Sequence, residues 1–143
     1  MTIGIDTTFL VELEILEHPG HVRAEDFLYR RLDEGDSFAL TGQVLTEFLH
    51  VVTDPARFAR PIVMEHAVSI SRMWWSAREV VQVHPDSRTQ DLFFKWLLRS
   101  GLGRKRLLDT MLAAVYVGNG IADIVSSNTK DFAIFEDLSV IVP

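Results

Sequence analysis

The chain has no cysteine among its 143 residues, which excludes a disulfide framework and any thiolate metal site. No apolar run approaches the roughly 20 residues that a membrane-spanning helix needs. The P-loop and dinucleotide-binding glycine patterns are missing as well. Met1 to Asp6 carries no basic segment and no small-residue cleavage site, so no signal peptide is expected and the cytoplasm is the expected compartment. Positive charge is scarce: 14 Lys and Arg stand against 20 Asp and Glu, a net charge of −6, which on its face disfavours a polyanionic partner. One stretch departs from that balance. Arg99 to Arg106 holds Arg99, Arg104, Lys105 and Arg106 with no acid between them, so the charge balance leaves the partner open.

What is present suits one globular domain over residues 1–143. Ile3 to Ile5 is a short apolar strand that ends at Asp6. Phe9 to Glu17 reads as a helix stopped by His18-Pro19-Gly20, and residues 22–34 as a second helix. Ser37 to Leu40 is a second strand, Gln43 to Val52 a helix, and 64–78 another. Val80 to Val83 is β-branched and reads as a third strand. Pro85-Asp86-Ser87 introduces a helix whose Phe93, Trp96 and Leu97 face a core, with Gly101 closing it. Asp109 to Val117 is a buried helix, and Ile124-Val125 and Val140 to Val142 are the last strands. Short apolar strands separated by helices predict an α/β fold with a mostly parallel sheet. Such folds carry their chemistry at the carboxyl ends of the strands, which is where Asp6 and the Ser126–Asn128 segment fall.

Three acids hold positions with two readings each. Asp6 follows the first strand and serves either as a helix N-cap or as a site residue. Glu47 borders the apolar arc of Val44, Leu45, Phe48, Val51 and Val52, as a surface glutamate with a buried stem or as a group facing a cleft. Asp109 opens a helix with no other ionisable group through Val117; its structural reading is an N-cap with Leu107 and Leu108 packed beside it. A doubly wound sheet can bring all three to one mouth, where clustered carboxylates need a cation or raised pKa values. Oxygen ligands without cysteine favour Mg²⁺ or Mn²⁺, metals that activate water for in-line attack on phosphorus.

Four stretches in order, Ile5-Asp6-Thr7-Thr8-Phe9-Leu10, Leu45-Thr46-Glu47-Phe48, Leu108 to Ala114 and Ala122 to Phe132, resemble the PIN-domain family, and most closely its VapC-type toxins. The resemblance implies a three-layer α/β/α fold with a five-stranded sheet, Mg²⁺ dependence with Mn²⁺ as substitute, and endoribonuclease activity on RNA. It also implies a cognate antitoxin and a homodimer. It assigns Asp6, Glu47 and Asp109 to the acidic site; the three-acid pattern itself suggests Asp6 and Asp109 on the metal and Glu47 on the attacking water. Thr7 and Ser126 match positions where the family carries hydroxyl groups. Two departures stand out: Thr8 replaces an Asn common in the family, and Asn128 stands where many members have Asp. Either Asn128 or Asp131, three residues on, completes the fourth acidic position.

Arg104, Lys105 and Arg106 read either as a guide for an RNA backbone or as a solvated loop. Trp74, Trp75 and Trp96 sit at helical spacing and read as core rather than as base-stacking platforms. The scattered histidines, His50 and His84 among them, lack ligand spacing. A haloacid-dehalogenase-like phosphatase needs a second Asp where Thr8 stands, and a phospho-receiver domain needs an acid that Val83-His84-Pro85 lacks. The remaining alternative is a non-catalytic PIN fold that binds protein or RNA, favoured if Glu47 or Asp109 points away from Asp6.

Overall fold

The computed structural model covers residues 1–143 and shows five strands in one all-parallel sheet, as the alternation of strands and helices predicts. The strands are β1 (Thr2–Ile5), β2 (Ser37–Leu40), β3 (Val80–Gln82), β4 (Asp123–Val125) and β5 (Ser139–Ile141), in the order β3-β2-β1-β4-β5. Seven helices surround them: α1 (Thr7–Glu14), α2 (His21–Asp33), α3 (Gly42–Val52), α4 (Met64–Ser76), α5 (Ser87–Arg99), α6 (Leu107–Gly118) and α7 (Thr129–Phe132). No helix is long and apolar enough to cross a membrane.

The order reverses at β1, whose neighbours are β2 on one side and β4 on the other, so the topological switch point lies at its carboxyl end. Both partners are in register with it: Gly4 opposes Ala39 and Ile124, and Ile5 opposes Val125. The ladder continues past the strand, where the Asp6 amide donates to the Val125 carbonyl at 3.2 Å. Ile3, Ile5, Phe38, Leu40 and Ile124 are fully shielded or nearly so, as strands with helices on both faces require.

Tyr116, on α6, is the largest fully buried side chain. Its hydroxyl donates to the Ile5 carbonyl at 2.6 Å, with the Ala39 carbonyl at 3.1 Å from the same oxygen. Burial, helped by the charge of Asp6, holds the phenol well above its usual pKa, so it stays a donor. The ring lies on Gly4, where a Cβ would stand 2.8 Å from ring carbons. Gly4 is thus a close-approach glycine.

Several boundaries differ from the sequence reading. Helix α1 starts at Thr7 because Asp6 caps it, and it stops at Glu14, where Ile15 turns extended and stays buried. Helix α4 ends at Ser76 rather than at residue 78. Helix α6 begins two residues before Asp109, after a 3-10 turn over Arg104–Arg106, so Asp109 lies in its first turn and is not the N-cap. Leu107 and Leu108 do not pack as a staple; Leu108 is 61% exposed. Trp74 and Trp96 are core residues, the latter stacked on Phe135 with ring centroids 5.0 Å apart.

Gly4→Ala is expected to destabilise the protein by about 1–3 kcal/mol through overpacking against the tyrosine ring. Tyr116→Phe should cost about 1–2 kcal/mol by removing the donor from two buried carbonyls. Urea denaturation of both variants checks this; a silent Gly4→Ala would show that the ring has room to move.

Candidate active site

The carboxyl ends of β1 and β4 carry the centre of the site. Asp6 is 6% exposed, and it accepts from one backbone amide and two short hydroxyl side chains. The Thr7 amide donates to Oδ1 at 2.8 Å, while the hydroxyls of Thr8 and Ser126 both donate to Oδ2 at 2.7 Å. Asp6 therefore fills both of its readings: it caps α1 and it faces the cleft. Desolvation by burial raises its pKa despite these three donors, which act in the opposite direction. Thr8, where the family's Asn is absent, holds the carboxylate directly with its hydroxyl.

Glu47 reaches the same place from α3. The Thr7 hydroxyl donates to its Oε2 at 3.1 Å, so consecutive groups of one residue bind Asp6 and Glu47. On its other side, Gln43 donates to Oε1 at 3.0 Å and to the Leu108 carbonyl at 2.8 Å, tying α3 to the start of α6. Sequence reasoning passed over Gln43, although its i,i+4 spacing to Glu47 was the available signal.

Asp109 enters from the first turn of α6. Its pKa is pushed up to about 6, first by desolvation and then by the charges of Asp131, Asp6 and Glu47, against the pull of Arg106. These four carboxylates therefore share one electrostatic neighbourhood. Asp131, in α7, is the acid whose charge acts on Asp109 from this side. Asn128 is exposed; its side chain donates to Asp131 and its amide to the Ser126 hydroxyl at 2.9 Å.

The basic segment divides. Arg104 and Lys105 are exposed, but Arg106 turns inward, 2.9 Å from Asp131 and 3.9 Å from Asp109. Its guanidinium is thus paired with these two acids, whereas Arg104 and Lys105 are not. The i,i+3 relation to Asp109 brings it there.

The donor set fits a hard divalent cation: four carboxylates, hydroxyl groups beside them, and more negative charge than Arg106 offsets. No three of these side chains stand close enough to ligate one ion. A pair of carboxylates completed by water is nonetheless the usual protein share of a Mg²⁺ shell. Asp6 and Asp109 are the pair that the sequence assigns.

The raised Asp109 value has a sign that can be measured. A carboxyl whose folded pKa exceeds its unfolded one favours folding below the ordinary value of 3.8, and that contribution is lost as the pH rises through about 6. Ionised Asp109, its side chain 29% exposed, then costs the metal-free fold about 1–2 kcal/mol after allowance for solvent screening. Asp109→Asn should be more stable than wild type by that amount at pH 8 in EDTA, with the gap closing toward pH 4. Denaturation of both proteins across that range tests it, and a less stable variant at pH 8 would contradict the charge crowding.

No family model matches the chain, and no curated protein matches it in sequence. Solved structures match its fold. VapC20 of Mycobacterium tuberculosis, described as a Sarcin-Ricin loop cleaving toxin, aligns over 93% of this chain and 95% of its own with a TM-score of 0.71 at 16% identity. VapBC-1 from nontypeable Haemophilus influenzae aligns over 99% and 98% with a TM-score of 0.69, also at 16% identity. VapBC2 from Rickettsia felis, solved bound to a DNA fragment from its promoter, aligns over 99% and 98% with a TM-score of 0.70 at 19% identity. The chain has the PIN-like α/β fold of the VapC toxins.

Proposed function

We propose that this chain is a metal-dependent endoribonuclease and the toxin of a toxin–antitoxin pair, acting in the cytoplasm. The observation that carries the reading is the convergence of Asp6, Glu47, Asp109 and Asp131, from four separate elements, on the switch point of a parallel sheet, with Asp109 under the charge of the other three. Its resemblance in fold to a Sarcin-Ricin loop cleaving toxin and to toxin–antitoxin complexes supports the same reading. A protein antitoxin and a second copy of the chain are the partners it implies.

Asp6 and Asp109 would hold Mg²⁺, or Mn²⁺ in its place. The bound ion supplies positive charge to the scissile phosphate and to the leaving oxygen. Glu47, fixed on both carboxylate oxygens by Thr7 and Gln43, orients the attacking water and accepts its proton. Ser126 and Thr8 keep Asp6 in one rotamer. Asp131 holds Arg106 beside the cluster, and Arg104 and Lys105 offer exposed charge to the RNA backbone. Water adds to phosphorus, the bond to the 3′ oxygen breaks, and the products are a 5′-phosphate and a 3′-hydroxyl.

The experiment is incubation of antitoxin-free protein with total cellular RNA, in Mg²⁺, in Mn²⁺ and in EDTA, followed by mapping of product ends. Discrete cuts with 5′-phosphate ends are expected, abolished by EDTA and reduced roughly a hundredfold or more in Asp6→Asn and Asp109→Asn. Cuts ending in cyclic phosphate, or variants as active as wild type, would overturn the mechanism. A folded, metal-binding protein that cuts nothing would favour the binding module.

A further inference from the structure

Beside the carboxylates, and sharing Thr7 and Thr8 with them, lies a cavity of about 530 Å³ between α1, the start of the segment after α3, and the turn after β4. Glu12, on α1, lines it and is only 4% exposed. A carboxylate so withdrawn from water needs partners. The protein supplies one, the Ser127 hydroxyl, which donates to Oε2 at 2.9 Å. The other oxygen, Oε1, takes no hydrogen bond from the protein and yet is not sealed off. Gly20 closes one flank with bare backbone: a Cβ there would lie 2.9 Å from Oε1. The open space that Glu12 lines is the cavity. Nothing in the acidic site uses this group.

The rest of the lining supplies complementary chemistry. His18 accepts the Gly20 amide on Nδ1 at 2.9 Å, so its neutral ring presents Nε2–H as a donor. Phe58 gives the wall an aromatic face, and Val11 and Val51 make the floor apolar. Arg57 is exposed at the rim, 3.4 Å from Asp54, where its charge suits a phosphate and opposes a basic side chain. An acceptor pair, a donor, an aromatic face and a peripheral cation are what a splayed nucleotide base with its phosphate requires. The volume is ample for a nucleotide.

We propose that this cavity is a nucleobase pocket that takes a guanine of the RNA strand beside the scissile phosphate, with Glu12 as the specificity-determining residue. This rests on the nuclease reading above. Guanine is the base that places two N–H donors, on N1 and the exocyclic amine, side by side on its Watson–Crick edge. The two oxygens of Glu12 match that pair, Oε2 retaining a lone pair after its bond to Ser127. Cytosine and adenine offer one amino donor, and uracil offers a single N–H between two carbonyls, each carbonyl facing a carboxylate unfavourably. The O6 acceptor of guanine suits a donor such as His18.

The test uses the full chain in EDTA, so that binding is read without catalysis. Calorimetric titration with the four nucleoside 5′-monophosphates should find GMP the tightest by about tenfold, a preference that Glu12→Gln removes. If Glu12→Gln does not fold, Phe58→Ala must weaken GMP binding several-fold, or the pocket assignment fails. In Mg²⁺, end mapping should show guanine at a fixed position next to each cut with the wild type and a degenerate base there with Glu12→Gln. Equal affinity for all four nucleotides would overturn the proposal. So would an unchanged GMP affinity in Glu12→Gln, or occupation of the cavity by an arginine-bearing peptide and by no nucleotide. GMP binding that survives while RNA is never cut would retire the nuclease and leave the pocket, so the two failures are distinguishable.

Discussion

The ring of Tyr116 occupies the space that a side chain at position 4 would fill, and its hydroxyl ends on the carbonyls of Ile5 and Ala39. That contact sets the distance between the central strand and the helix that crosses it. Asp6 follows Ile5 directly, and Asp109 lies two turns before Tyr116 on the same helix. The separation of the two acids is therefore governed by a packed, hydrogen-bonded pair in the dry interior and not by the mobile ends of their own side chains. A constellation that must hold one geometry is best built on such rigid supports. Gln43 repeats the logic at the third corner, joining Glu47 to the Leu108 carbonyl.

Opposing electrostatic effects meet at the cluster. Burial raises the proton affinity of Asp6 and Asp109, and mutual repulsion adds to it for Asp109. Hydroxyl and amide donors, and the guanidinium of Arg106, act against it. The counter-effects are smaller for Asp109, which has one positive neighbour at 3.9 Å and three negative ones. A fold that keeps its acids crowded at such a cost has left them short of positive charge. Crowding of this kind is found where a cation or a proton belongs to the working state.

Much of the architecture was legible because it follows from local pattern. Short apolar runs with helices between them imply a parallel sheet, and Asp6 after the first run implies a strand-end carboxylate. The wheel of α3 put Glu47 on a border, where it lies half-buried. What escaped depends on the third dimension. Arg106 reads as one of three clustered cations, and nothing in Arg104-Lys105-Arg106 says which turns inward; the 3-10 turn before α6 decides it. The placement of Asn128 and Asp131 depends on α7, a four-residue helix too short to leave a periodic signature. Glu12 looks like one polar position among apolar ones in α1, and only the turn after β4, which brings Ser127 against it, shows it to be enclosed. Tyr116 passes for another core aromatic until its hydroxyl is followed to its acceptors.

The bond from Ser126 to Asp6 joins residues 120 positions apart, and Tyr116 meets Ile5 across 111. The central strand is made first, yet one of its two neighbours, the helix that covers it and half of its acidic cluster are encoded in the last third of the chain. A nascent polypeptide thus carries Asp6 well before the groups that complete its surroundings exist. The topology withholds the assembled cluster until those later residues have been made. The acidic cluster, and whatever chemistry it supports, comes into being only when β4 and α6 have joined β1.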